Sequence, residues 1–252
     1  MFVPHRPDVT MHRWPIANAA LILVTCIISI ALFSSMGQWN RDHQADMAFA
    51  HGQFVMDIPA NQPDDVMDHF MLEPGHFELT QLIGSLLVHE GWVHLLGNMF
   101  FLFLFGCAVD ARLGHGVFSA LYFGAGIFES IVYLSFGPHI PCLGASGAIM
   151  GVMGAFFVLY PRNNISCYYW FWWDIDGTVD ISAYWLLLAY FLLDVFGMIN
   201  GGGAVAHISH VAGFIFGMAA TIAMLKIGWI QPVENEENLL QMLRMQPEVL
   251  EE

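Results

Sequence analysis

The sequence is poor in charge. Only 12% of its 252 residues are Asp, Glu, Lys or Arg, against 57% in the hydrophobic class, and the mean hydropathy is +0.58. A soluble domain carries about a quarter charged residues, so a polytopic membrane protein is indicated instead. Cations are scarcest, with seven Lys and Arg against 22 Asp and Glu. That balance argues against nucleic acid as a partner. The net charge of -15 is regional: eight acids lie between Asp42 and Glu78 and six between Glu234 and Glu252, outside the apolar segments. Cysteine is also sparse. Cys26, Cys107, Cys142 and Cys167 stand singly in or beside apolar stretches, without the paired spacing of a disulfide framework or zinc knuckle.

What is present is a series of apolar runs. Residues 15 to 35 are long enough to cross about 30 Å of hydrocarbon. A cleaved signal peptide is the rival reading, but its apolar core usually runs only about 7–15 residues. Further spans are expected at about 80 to 106, 116 to 136, 146 to 160, 182 to 199 and 204 to 226. The fourth is short, about 22 Å at 1.5 Å per residue, so its first residue should lie below the membrane surface. Residues 163 to 180 read as an interfacial connection, and the acidic loop at 36 to 78, with its aromatics, as partly interfacial.

Cytoplasmic flanks carry the excess of Lys and Arg. Six spans with an internal N-terminus place Arg6, Arg13, Arg112, Arg162, Lys226 and Arg244 inside and only Arg41 outside. The expected organisation is a cytoplasmic tail at 1–14, a six-helix domain at 15–230 with its long outer loop at 36–78, and an acidic cytoplasmic tail at 231–252. The cell membrane is the expected location. Under this topology the starts of spans four and six share the outer face.

Span four opens CLGASGAIMGVMG, where Ser146 stands among small residues. Gly147, Gly151 and Gly154 lie along one face, the arrangement that admits a neighbouring helix backbone inside a bilayer. Span six carries His207 and His210 above Gly213 and Gly217. If the two glycine faces pack, an imidazole reaches the Ser146 hydroxyl, the pairing of nucleophile and base used in acyl transfer. The bland alternative is a serine bonded to its own helix. Intramembrane polar groups are functional candidates by default, which favours the first reading.

Span two supplies His94 and Asn98, four apart and pointing the same way. They could donate to a developing oxyanion, or simply join helices through hydrogen bonds. His89, Glu90 and His94 fail the zinc-protease signature, whose histidines stand at i and i+4. His89 reads as a helix-entry or interface residue. Glu129 and Asp194 are intramembrane carboxylates that would suit a proton pathway in a transporter; hydrogen bonding within the bundle is the preferred reading.

The motifs HEGWVHLLGNMFFLFLFG, VDARLGH, GASGAIMGVMGAFFVLYPR and AHISHVAGFIFG, in this order over about residues 78 to 220, resemble the rhomboid intramembrane serine proteases. The resemblance implies an all-α polytopic membrane protein with a six-transmembrane-helix bundle. It implies a Ser-His dyad without a third acid: Ser146 as nucleophile, His210 as general base, and His94 and Asn98 in the oxyanion hole. It places Asp194 near a gate for substrate helices, outside the chemistry. Met150 stands where some bacterial members have a tyrosine, and His207 is an extra histidine that competes for the role of base. Transmembrane protein substrates and membrane lipid are the implied partners, and no metal or cofactor is implied. A proteolytically silent rhomboid-like protein that escorts membrane clients is the alternative.

Overall fold

A computed structural model describes residues 2–43, 47–50, 53–56, 66–171, 175–200, 206–231 and 236–243. Residues 44–46, 51–52 and 57–65 of the acidic loop, the GGG turn at 201–203 and most of the acidic tail lie outside these residues, and so do the side chains of Trp39 and Arg41. The chain opens with strand β1 (Phe2–Pro7) and enters helix α1 (Ile16–His43). A small hairpin follows, β2 (Met47–Ala50) with β3 (Gln53–Met56). Then come helices α2 (Trp92–Leu113) and α3 (His115–Phe136), and helix α4 (Ser146–Leu159). Strands β4 (Asn164–Phe171) and β5 (Ile175–Ser182) precede helices α5 (Ala183–Ile199) and α6 (His207–Lys226). Four of the helices, α1, α2, α3 and α6, are long and apolar enough to cross a membrane, while α4 and α5 are shorter apolar helices. The protein is a polytopic helical membrane protein.

Span two differs from the expected 80 to 106. Residues Gln81–Gly84 form one helical turn, Ser85–Leu87 a 3₁₀ turn, and the chain is extended at Val88 and Gly91 before α2 begins at Trp92. The buried Gln81 side chain holds this entry segment: its amide donates to the Asp68 and His76 carbonyls at 2.7 and 3.1 Å, and its oxygen accepts from the Glu73 N–H at 3.2 Å. Apolar composition alone could not reveal that stapling. At its other end α2 continues past 106 to Leu113, through a π-helical stretch at Leu102–Gly106. A π turn frees a carbonyl from the regular ladder. Asn18 of α1 donates to the Leu102 carbonyl at 3.1 Å, lying where a Cβ on Gly106 would stand. The polar end of α2 is satisfied by Asp110, fully buried, which accepts from the Asn18 backbone N–H at 3.0 Å and pairs with His115 at 2.8 Å.

Residues 163 to 180, expected as an interfacial connection, form most of the antiparallel pair β4 and β5, with β1 on the other side of β4. Pro4 and Pro7 lack a donor, so an edge position suits β1. The register shifts between Pro4 and Arg6. This sheet lies at the end of the bundle where α4 finishes. Arg162 meets Glu237 there at 2.8 Å, and Arg112 donates to the Gln231 carbonyl. The N-terminal strand, the ends of α2 and α4, and the segment after α6 therefore share one end of the molecule.

The core is built on α4, of whose 14 residues 13 are buried. Its small residues explain why. A Cβ at Gly213 would meet the Gly147 carbonyl oxygen, one at Gly217 the Gly151 carbonyl, and one at Gly154 the Phe214 carbonyl. The backbones of α4 and α6 touch along this seam.

Candidate functional site

Ser146 is the first residue of α4, and the chain ahead of it is held from three sides. Leu72 and Cys142 exchange backbone hydrogen bonds at 2.8 and 2.9 Å, and the Gly144 N–H donates to the Ser85 carbonyl at 2.8 Å. The Ala145 N–H donates to His89 Nε2 at 3.4 Å. Gly144 has φ +115°, which disfavours any side chain, and the space a Cβ would need is filled by the His94 ring at 2.7 Å. The segment thus turns sharply onto α4 with His94 packed against the turn.

His89, read from sequence as an entry or interface residue, is fully buried. Ser29 of α1 donates its hydroxyl proton to the Leu87 carbonyl at 2.9 Å and stands 3.0 Å from His89 Nδ1. With the serine proton committed, His89 Nδ1–H is the donor to Ser29, and Nε2 is left to accept from Ala145. One imidazole therefore links α1 to the residue before Ser146. Its burial is a tertiary property that the local pattern did not carry.

The glycine seam brings His210 to Ser146: Nε2 of the ring lies 2.8 Å from Oγ. His210 Nδ1 lies 2.9 Å from Asp194 Oδ1 of α5, and His207 Nδ1 lies 2.7 Å from the same oxygen. The resemblance implies no third acid, yet a carboxylate stands at hydrogen-bond distance from His210. Asp194, expected near a gate, reaches His210 because positions 194 and 210 face each other across α5 and α6. The donor atoms of Asp194, His207 and His210 all lie within 4.8 Å of one another, a spacing that would also admit a divalent cation.

A cavity of about 740 Å³ opens over these groups, lined by His94, Asn98, Ser146, His210, Asp194 and Met150, among others. Of the five polar candidates named from the sequence, His94, Asn98, Ser146 and His210 therefore line one space. His207 is not among the lining residues and is engaged with Asp194. Asn98 is buried at 8% exposure, and its Nδ2 has no hydrogen-bond partner among the described residues. A buried unpaired donor costs about 1–3 kcal/mol, and this one stands in the cavity wall. Met150, one turn below Ser146, gives the cavity an apolar wall. The other intramembrane carboxylate, Glu129 of α3, is buried where a Cβ on Gly147 would stand, on the seam side of α4.

Residues 76–227 match the family model described as the Rhomboid domain, more than half of the chain. Among curated proteins, the chain is 41% identical over 87 residues to rhomboid protease GluP of Bacillus subtilis (strain 168), covering 34% of this chain and 17% of the relative. It is 30% identical over 143 residues to the Homo sapiens presenilin-associated rhomboid-like protein, mitochondrial, covering 55% of this chain and 36% of the relative. YdcA of the same Bacillus strain is 35% identical over 103 residues, 40% of this chain and 52% of that protein. The chain thus spans about half or less of the length of the relatives it matches. Its ordered motifs, its helical fold and this match together identify it: the chain belongs to the rhomboid family.

Proposed function

We propose that the protein is an intramembrane serine endopeptidase that cleaves transmembrane segments of substrate proteins. The observation that carries this reading is the 2.8 Å contact between Ser146 Oγ and His210 Nε2 at the wall of a cavity that also receives the unpaired Asn98 amide. His210 Nε2 takes the hydroxyl proton as Ser146 Oγ bonds to the scissile carbonyl carbon. The carbonyl oxygen becomes an oxyanion, received by Asn98 Nδ2, His94 and the Ser146 N–H at the start of α4, where the helix dipole also favours negative charge. The C–N bond then breaks, and the departing amine takes the proton from His210. Water, deprotonated by the same histidine, releases the acyl group and restores Ser146. No step calls on a cofactor.

The grouping of β1, Arg112, Arg162 and the segment after α6 at one end supports a topology with both termini on the same, cytoplasmic side. Ser146 then opens toward the outer half of the membrane. The cell membrane is the proposed location; six relatives, the Homo sapiens protein among them, carry the word mitochondrial in their names, so fractionation decides between compartments.

The test is cleavage of a model transmembrane substrate by the full chain in detergent, with labelling by a serine-reactive fluorophosphonate. Ser146→Ala is expected to abolish both, a loss of at least about 10³-fold in kcat. Cleavage undiminished in Ser146→Ala overturns the mechanism. A parent protein that neither cleaves nor labels is a silent, client-binding rhomboid.

A further inference from the structure

We propose that Asp194 is the positioning residue that makes His210 a base, so that Ser146, His210 and Asp194 work as a triad anchored through His207. This rests on the proteolytic reading above. The argument begins with what a carboxylate can do: ionised, it only accepts hydrogen bonds. His210 Nδ1 at 2.9 Å from Asp194 Oδ1 must then carry its proton. The lone pair is left on Nε2, 2.8 Å from the Ser146 hydroxyl, where a base needs it. Without an acceptor at Nδ1 the ring is free to hold its proton on Nε2 and is useless to Ser146. When the serine proton arrives, His210 becomes an imidazolium, and the carboxylate beside it offsets that charge.

His207 has a separate task. It donates to the same Asp194 oxygen at 2.7 Å, and its ring lies over Gly197, where a Cβ would come within 2.5 to 2.6 Å of three ring atoms. Asp194 and Gly197 are three apart on α5, so one face of that helix offers a carboxylate and, one turn on, a slot. On α6 the two imidazoles are likewise three apart. The paired spacings interlock, and the carboxylate is fixed in place by the histidine that is not the base. Elsewhere α5 is held by half-buried aromatics, Tyr190 against Phe101 and Phe191 against Phe214, with only Ala183 and Leu187 fully buried.

The test is the pH dependence of kcat and KM for the full chain in detergent with a transmembrane model substrate. The titratable groups around His210 are Asp194 on α5, His207 on α6, His94 on α2 and Glu129 on α3. Asp194→Asn is expected to lower kcat by about 10²- to 10⁴-fold with KM within about twofold. The acid limb of kcat/KM should move to lower pH, because the imidazolium loses its counter-charge. Asp194→Glu, which restores a carboxylate, should recover at least about tenfold over Asp194→Asn. A kcat for Asp194→Asn within about threefold of the parent overturns the proposal, as does a change confined to KM with an unmoved acid limb, the signature of a mere tie between helices. If Asp194→Asn is not recovered folded, the tautomer of His210 in the parent chain, read from the ring nitrogen NMR shifts of histidine-labelled protein at high pH, decides: a proton on Nδ1 supports the role, and a proton on Nε2 refutes it. A dead Ser146→Ala beside a fully active Asp194→Asn removes this inference only, whereas an active Ser146→Ala removes the reading beneath it.

Discussion

Helices α4 and α5 are both apolar and both shorter than the roughly 20 residues a membrane span needs. Their surroundings are opposite. On α4, 13 of 14 residues are buried, whereas on α5 burial is confined to Ala183 and Leu187, and Leu193, Phe196 and Ile199 are 65 to 74% exposed. Lipid tails are as apolar as leucine, so hydrophobicity gives neither helix a reason to be inside the bundle. What separates them is reach. The glycines of α4 let the backbone of α6 come into contact, gaining dispersion on both sides, while α5 meets its neighbours through side chains, Tyr184 on Phe157 and Phe191 on Phe214. Ser146 therefore rises from the most tightly packed element, and Asp194 from one of the least.

That contrast can be broken at either end. The largest structural effect is expected from Gly217→Leu, which pushes a side chain into the Gly151 backbone. It should destabilise the fold by more than about 3 kcal/mol, or prevent recovery of folded protein, in thermal melts in detergent. A melting temperature within about 2 °C of the parent would refute the seam. Next comes Asn98→Ala, which keeps the fold but removes the unpaired donor, with an expected loss of about 10²- to 10³-fold in kcat at little change in KM. A loss confined to KM would assign Asn98 to substrate binding instead. The smallest change is expected on the loose side: Phe196→Ala should alter stability by less than about 0.5 kcal/mol in the same melts, since its ring faces outward. A larger loss would mean that α5 is packed after all.

Much of this arrangement could be read from the chain. Gly147, Gly151 and Gly154 with Gly213 and Gly217 announced the seam, because only close backbone approach explains glycine at helical spacing in an apolar run. His94 and Asn98 at i and i+4 announced a shared face. Other features had no local signal. Gln81 looked like part of span two, yet its amide staples a loop and delays the helix to Trp92. The pairing of β1 with β4 joins positions more than 150 residues apart, and no periodicity reports a partner at that distance. His89 stands five residues before His94, a spacing that suits neither a shared helix face nor a metal motif, and its bridge from Ser29 to Ala145 exists only because α1 passes beside it. Asp194 was legible as an intramembrane carboxylate but not as a partner of a particular histidine.

The sequence by itself determined that this chain is a polytopic helical membrane protein, that small residues bring spans four and six together, and that a serine, a histidine and an asparagine stand in apolar spans as candidates for one site. These follow from composition and from helical spacing, which are local properties. Only the tertiary structure decided which of two histidines faces Ser146, that the other holds a carboxylate, and that the carboxylate touches both. A hydrogen bond depends on tenths of an ångström and on the rotation of two helices about their own axes, and that rotation is set by the packing of α4, α5 and α6 together.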